Sequence, residues 1–215
     1  MEQAALGHDI VQHDAQAPTC YNIGWEAYET CARCDYSTYM EKRTLVHWYG
    51  EWASNADDTH SATCRRGCGY RKTVPCTFLI CQLLSDDPVT AFTLCPVCGE
   101  VSDGTHLALV EAAAADDVTG RLPAGEVVVR IGALASGETV MSVAFEYGGT
   151  LTQSTGQVKI TLPAELLDGY ALCLLSEDGT ETELTPDIQA EEASFVLDFT
   201  DAQCPAKVLQ LVPVA

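Results

Sequence analysis

From about Gly125 onward, apolar and polar residues alternate along the chain. Met141, Val143, Phe145 and Tyr147 fall on one face of an extended run, with Val140, Ser142, Ala144 and Glu146 on the other. Val158, Ile160 and Leu162 alternate with Gln157, Lys159 and Thr161, as Phe195, Leu197 and Phe199 do with Val196 and Asp198. A period of two describes strands with one face on a core. Ser136-Gly137, Gly148-Gly149, Asp168-Gly169 and Asp178-Gly179 are turn signals between such runs. Glu177-Asp178-Gly179-Thr180, flanked by apolar runs, predicts a hairpin. About seven strands are expected, near 127–134, 139–147, 157–162, 170–176, 181–185, 193–199 and 206–213. Short antiparallel strands in that number suggest an all-β sandwich over 125–215.

The chain before Gly125 lacks this period. Leu107, Val110, Glu111 and Ala112–Ala115 favour a short helix with Gly120 as a stop, so 107–124 reads as a linker or docking element. Residues 1–106 read as loop-rich modules, a first over 1–49 and two more over 50–106. They hold all five histidines, all three tryptophans and nine of the eleven cysteines.

Composition narrows the function. The 215 residues are 47% hydrophobic, enough for a packed core. No apolar run reaches the length of a membrane span. Met1–Ile10 has no basic segment followed by an apolar one, so no signal peptide is expected. The net charge is −20, with −6 in residues 1–100 and −14 in 101–215. So acidic a surface repels phosphate backbones and anionic membranes, which argues against nucleic acid as a partner and against membrane insertion. The β half has no histidine, and its acids fall in turns and on strand faces, as a solvated surface would.

Three close cysteine pairs carry the candidate chemistry: Cys31-Ala32-Arg33-Cys34, Cys64-Arg65-Arg66-Gly67-Cys68 and Cys95-Pro96-Val97-Cys98. A CxxC turn aims two thiolates at one ion while its amides donate to the sulfurs. Each pair needs two more ligands for a tetrahedron. Taken in chain order, the sets are Cys20, Cys31, Cys34 and His47, then His60, Cys64, Cys68 and Cys76, then Cys81, Cys95, Cys98 and His106. All nine cysteines of this half are then used, and only His8 and His13 are spare. Two to three structural zinc ions are expected.

Other readings compete. Two knuckles could pair as a ribbon, but their separations of 29 and 26 residues exceed the usual spacing. Disulfides are the main rival, although nine is an odd number; Cys173 and Cys204 offer a further pair in an exported protein. A redox role needs a βαβ context that the sequence lacks. Tyr21, Trp25, Tyr28, Tyr36 and Tyr39 read as a small core around the first metal, with a glycan-stacking platform as the sharper alternative.

Gly7-His8-Asp9, Ala17-Pro18-Thr19-Cys20 and Ile23-Gly24-Trp25-Glu26-Ala27-Tyr28-Glu29-Thr30-Cys31-Ala32-Arg33-Cys34-Asp35-Tyr36 together resemble the tandem Cys/His-rich modules of large surface proteins of gut Firmicutes. In those modules a Gly-His-Asp-like tripeptide closes one copy and opens the next. The resemblance implies that His47 closes the first module and that His8 belongs to an earlier copy. Gly50–Cys76 is similar to a second module type with Gly67 inserted, and Gly156–Thr180 to a terminal β-module. It implies a secreted or wall-associated location, and with no signal peptide read the chain is expected to be a fragment. The expectation is a non-enzymatic, zinc-stabilised modular protein of the bacterial surface, monomeric, with protein or glycan partners. A cytoplasmic zinc-ribbon interaction module and a glycan binder using Trp25, Trp48 or Trp52 are the alternatives.

Overall fold

The computed structural model describes residues 7–84, 91–110, 114–121, 126–152, 155–176, 181–199 and 206–214. Among them, regular structure is almost entirely β, and the one helical element is a short 3-10 turn at Ala164–Leu167. The chain forms two compact units, Met1–Gly50 with Thr63–Tyr70, and Glu51–Ala62 with Arg71–Ala215.

The first unit is built from two-stranded pieces. Ile10–His13 pairs antiparallel with Tyr28–Cys31, and Gly24–Trp25 with Glu41–Lys42. Two-residue strands bury little, and among the described residues the only buried apolar side chains of this unit are Cys31 and Cys64. Aromatic contacts fill in around them. Tyr28 stacks on His13 at 4.4 Å and meets Tyr39 edge-on at 5.0 Å.

The second unit contains two larger sheets. A seven-stranded sheet runs in the order Ala108–Leu109, Glu126–Ala133, Thr139–Tyr147, Ala206–Pro213, Tyr170–Leu175 and Glu181–Leu184, with Thr150–Leu151 hairpinned onto Thr139–Tyr147. A four-stranded sheet runs Ala114–Arg121, Thr155–Pro163, Glu192–Asp198 and Asp187–Gln189. The alternating apolar positions of both meet in one core. Val129, Met141, Val143, Phe145, Leu209 and Leu211 come from the larger sheet, and Val158, Ile160, Leu162, Phe195 and Leu197 from the smaller.

The other face of the larger sheet is also covered. Val140 and Val208 pack with Phe92, Leu94, Val101 and Leu107 from the hairpin Leu79–Gln82/Ala91–Leu94 and the chain that follows it. Strand Thr139–Tyr147 is therefore buried on both sides, and its polar-side residues Ser142 and Glu146 are buried with it. The third cysteine pair thus belongs to the same compact unit as the sheets.

The described residues of the stretch 107–118 differ from their helical expectation. Ala108–Leu109 and Ala114–Arg121 are strands, and the second pairs with Thr155–Pro163 from Ala114↔Thr161 to Arg121↔Thr155. Sheet pairing at seven of these eight residues outweighs the modest helix preference of an alanine run. The turn at Glu177–Thr180 and Cys204, with its candidate pairing to Cys173, lie outside the described residues.

Candidate metal centres

The two N-terminal cysteine pairs fold alike. At Cys31–Cys34, the Cys31 amide donates to the Tyr36 carbonyl at 3.0 Å and closes the turn. Amides of Asp9 and Arg33 donate to the Cys31 sulfur at 3.3 and 3.4 Å. These donors, that of Arg33 foremost, hold the Cys31 thiol down to about 6. His8 Nδ1 sits 3.3 Å from Cys34 Sγ, and its ring stacks on Tyr36 at 4.7 Å.

At Cys64–Cys68, the Cys64 amide donates to the Tyr70 carbonyl at 2.9 Å. The extra residue is absorbed at Gly67, which takes φ of +73°, a conformation a side chain resists. His47 Nδ1 lies 3.4 Å from Cys68 Sγ, and its ring stacks on Tyr70 at 4.3 Å. Cys20 adds a third sulfur, 4.0 Å from Cys64 Sγ. Its loop is fixed by the Thr19 hydroxyl, which accepts from the amides of Tyr21 and Asn22, and by the Leu45 amide, which donates to the Thr19 carbonyl. Burial works against the Cys64 thiolate, yet donors led by His47 bring that thiol down to about 6. Burial and the neighbouring Cys68 and Cys64 push Cys20 up to about 11.

The third group lies in the second unit. His60, on Thr59–Thr63, and Cys76, just past Arg71–Pro75, meet Cys95 and Cys98. His60 Nδ1 is 3.2 Å from Cys76 Sγ and 3.7 Å from Cys95 Sγ, and Cys76 and Cys98 sulfurs are 3.8 Å apart. His60 Nε2 donates to the Gly149 carbonyl at 2.6 Å, which turns Nδ1 toward the cluster. Trp52, 3% exposed, packs edge-on to His60 at 5.2 Å. Gly149 has φ of +82°, and a Cβ there would fall on the Trp52 ring. Beneath the knuckle, the guanidinium of Arg130, 2% exposed, donates to the Pro96 carbonyl at 2.7 Å. The Cys98 thiol donates to Cys95 and holds it down to about 3, while Cys98 itself is pushed up by the same bond and Cys76 rises to about 12, chiefly by burial. Bringing three sulfurs this close opposes their joint ionisation, which a bound cation would relieve.

In each of the three groups, Cys20/His47/Cys64/Cys68, His60/Cys76/Cys95/Cys98 and His8/Cys31/Cys34, all ligand atoms lie within 4.8 Å of one another. In this structure none of the nine cysteines from Cys20 to Cys98 is joined in a disulfide. The partition is not the one that chain order suggests. Cys20 and His47 pass over Cys31 and Cys34 to join Cys64 and Cys68, while His60 and Cys76 pass over Cys64 and Cys68 to join Cys95 and Cys98. Cys81 is buried in the hairpin core, and His106 is exposed, with Nδ1 2.9 Å from the Thr105 carbonyl; among the described residues neither joins a group. His8, spare by sequence order, is a member of one. His13 contacts the Thr30 hydroxyl at 3.0 Å.

Burial places Trp52 inside the second unit, so it cannot stack on a sugar, whereas Trp48 is 52% exposed. No helix of the described residues is long and apolar enough to cross a membrane. Comparison with known proteins gives no matching family, no similar curated protein and no similar solved structure.

Proposed function

We propose that this protein is a non-enzymatic modular protein held together by structural zinc, with a binding or adhesive role at a bacterial surface. One observation carries the zinc reading: two sets of three cysteines and one histidine converge with every ligand atom within 4.8 Å. A tetrahedral ion with Zn–S bonds of about 2.3 Å separates its sulfurs by about 3.8 Å. The ligand-atom separations of 3.2–4.0 Å in these sets match that frame. Thiolate and imidazole donors suit zinc and disfavour calcium or magnesium.

Four protein ligands leave no coordination position for a water, so these two centres hold structure. His47 and His60 present Nδ1, and His60 is oriented by the Gly149 carbonyl as outer-shell partners orient zinc ligands elsewhere. The single core drawn from the seven- and four-stranded sheets supports reading them as the layers of a sandwich, an acidic cap or spacer. The surface location rests on the resemblance of residues 7–36 to surface-protein modules.

Plasma mass spectrometry of the purified chain, paired with thiol titration, tests this. Two to three zinc ions per chain are expected, with most N-terminal thiols reacting only after a chelator is added. A metal-free, folded chain whose thiols react at once would overturn the reading.

A further inference from the structure

The first two centres match residue by residue. His8 corresponds to His47, Cys31 to Cys64, Cys34 to Cys68, and the stacked Tyr36 to Tyr70. The Ala32 amide donates to the Asp9 carbonyl at 2.8 Å, as the Arg65 amide does to the Trp48 carbonyl at 2.7 Å. Arg33 donates to the Gly7 carbonyl at 3.2 Å, as Arg66 does to the Val46 carbonyl at 3.1 Å, in each case the residue before the histidine. One element breaks the match. Cys20 completes the second centre, and among the described residues nothing stands in its place at the first. His8 and Cys34 are correspondingly exposed, whereas His47 and Cys68 are half-buried.

Resting on the metal reading above, we propose that the His8/Cys31/Cys34 centre takes its fourth ligand, a cysteine thiolate, from another polypeptide segment, in the position that Cys20 fills at its twin. The Asp9 carboxylate, next to His8 in the chain, is poorly placed to substitute. The Asp9 amide is tied to the Cys31 sulfur, and its carboxylate is turned to Arg33 at 3.9 Å. Two thiolates and an imidazole on a divalent ion make a neutral centre, and a third thiolate makes it anionic. The centre is thus a metal-gated docking point whose chemistry selects a cysteine, and the bond that forms is metal–sulfur with release of the thiol proton to solvent.

The test uses the full chain loaded anaerobically with cobalt(II), whose thiolate charge-transfer band counts metal–sulfur bonds. The probe is a hexapeptide of the sequence Ala17–Asn22, with a control carrying serine for the cysteine. The cysteine peptide is expected to add one thiolate's band per chain, saturating at one peptide. At about ten times its Kd it should raise cobalt affinity at this centre about tenfold. The double variant Cys31→Ser/Cys34→Ser should lose the response while the other two centres keep their cobalt. Cobalt bound at the first centre with no response to the peptide, or an equal response to the serine control, would overturn the inference alone. Failure of cobalt to bind anywhere would overturn the metal reading beneath it. Concentration-dependent dimers that the peptide dissolves would identify a second copy as the source of the thiolate; a chain that stays monomeric points to a different segment.

Discussion

Gly149 joins two jobs at one position. Its carbonyl orients the His60 ring, and its missing side chain admits the Trp52 ring. Gly149→Ala combines a left-handed backbone with an overpacked site, at a cost of about 2–4 kcal/mol. The unfolding free energy of the loaded protein should fall by that amount, and zinc should leave the third centre at lower chelator concentration. Glu146 is a second instance of local chemistry set by burial. It is 7% exposed, and its Oε2 has no hydrogen-bond partner. Burial raises its carboxyl to about 7, against the pull of Arg130 and His60 and with the push of Glu126 and Cys95. A raised folded-state value means that the folded chain binds the proton more tightly. The associated stability is complete below the ordinary carboxyl range and is lost as pH climbs through about 7. Between pH 6 and 8 the wild-type chain should therefore lose stability relative to Glu146→Gln, by on the order of 1 kcal/mol. Parallel urea titrations of the two proteins across that range check the sign.

At the scale of elements, the centres are interleaved, and substitution separates this from the grouping by chain order. Cys95→Ser should remove one zinc ion per chain. Cys81→Ala should leave the zinc count unchanged and cost about 1–2 kcal/mol from the hairpin core. Metal analysis reads the two zinc counts, and urea titration the stability cost. The strands of the β half were legible because alternation is a local property: the runs at Thr139–Tyr147, Tyr170–Leu175 and Ala206–Pro213 fall where the period places them. The three close cysteine pairs were legible too, since each is written in four or five residues, but Cys81 and His106, expected as ligands, join no group and His8, left spare, joins one. The partition of the ligands was not legible. Nothing local says that Cys20 will bypass Cys31 for Cys64, 44 residues on, because that choice is made by tertiary packing around Thr19 and Leu45. The burial of Ser142 and Glu146 was likewise hidden, since the alternation marks them as solvent-facing and only the covering hairpin makes them interior.

At the scale of the whole molecule, the two units rest on different physics. The second has a core of fifteen buried residues that needs no ion. The first buries only two apolar side chains among its described residues, both of them cysteines of metal centres. On the zinc reading, a unit with so little core gains its folding free energy from the metal. Chelation should therefore unfold residues 1–50 and 63–70 while the sheets of the second unit persist. Hydrogen exchange should show protection lost at Ile10–His13 and Tyr28–Cys31 but kept at Thr139–Tyr147 and Thr155–Pro163. Loss of both together in chelator would contradict this division.

The interleaving also sets a timetable for synthesis. A ribosome releases the chain from its N-terminus, so His8, Cys31 and Cys34 are all outside once residue 34 has emerged. Cys20 and His47 must then wait for Cys68, and His60 and Cys76 for Cys98. During each wait, sulfurs that will end as ligands hang from a nascent chain with no ion to shield them. An oxidant met in that interval could join Cys20 to the earlier pair, a neighbour in sequence but not in the finished protein. If the centres take zinc, the order of ligands along the chain makes a reducing, metal-replete setting matter from the moment of translation.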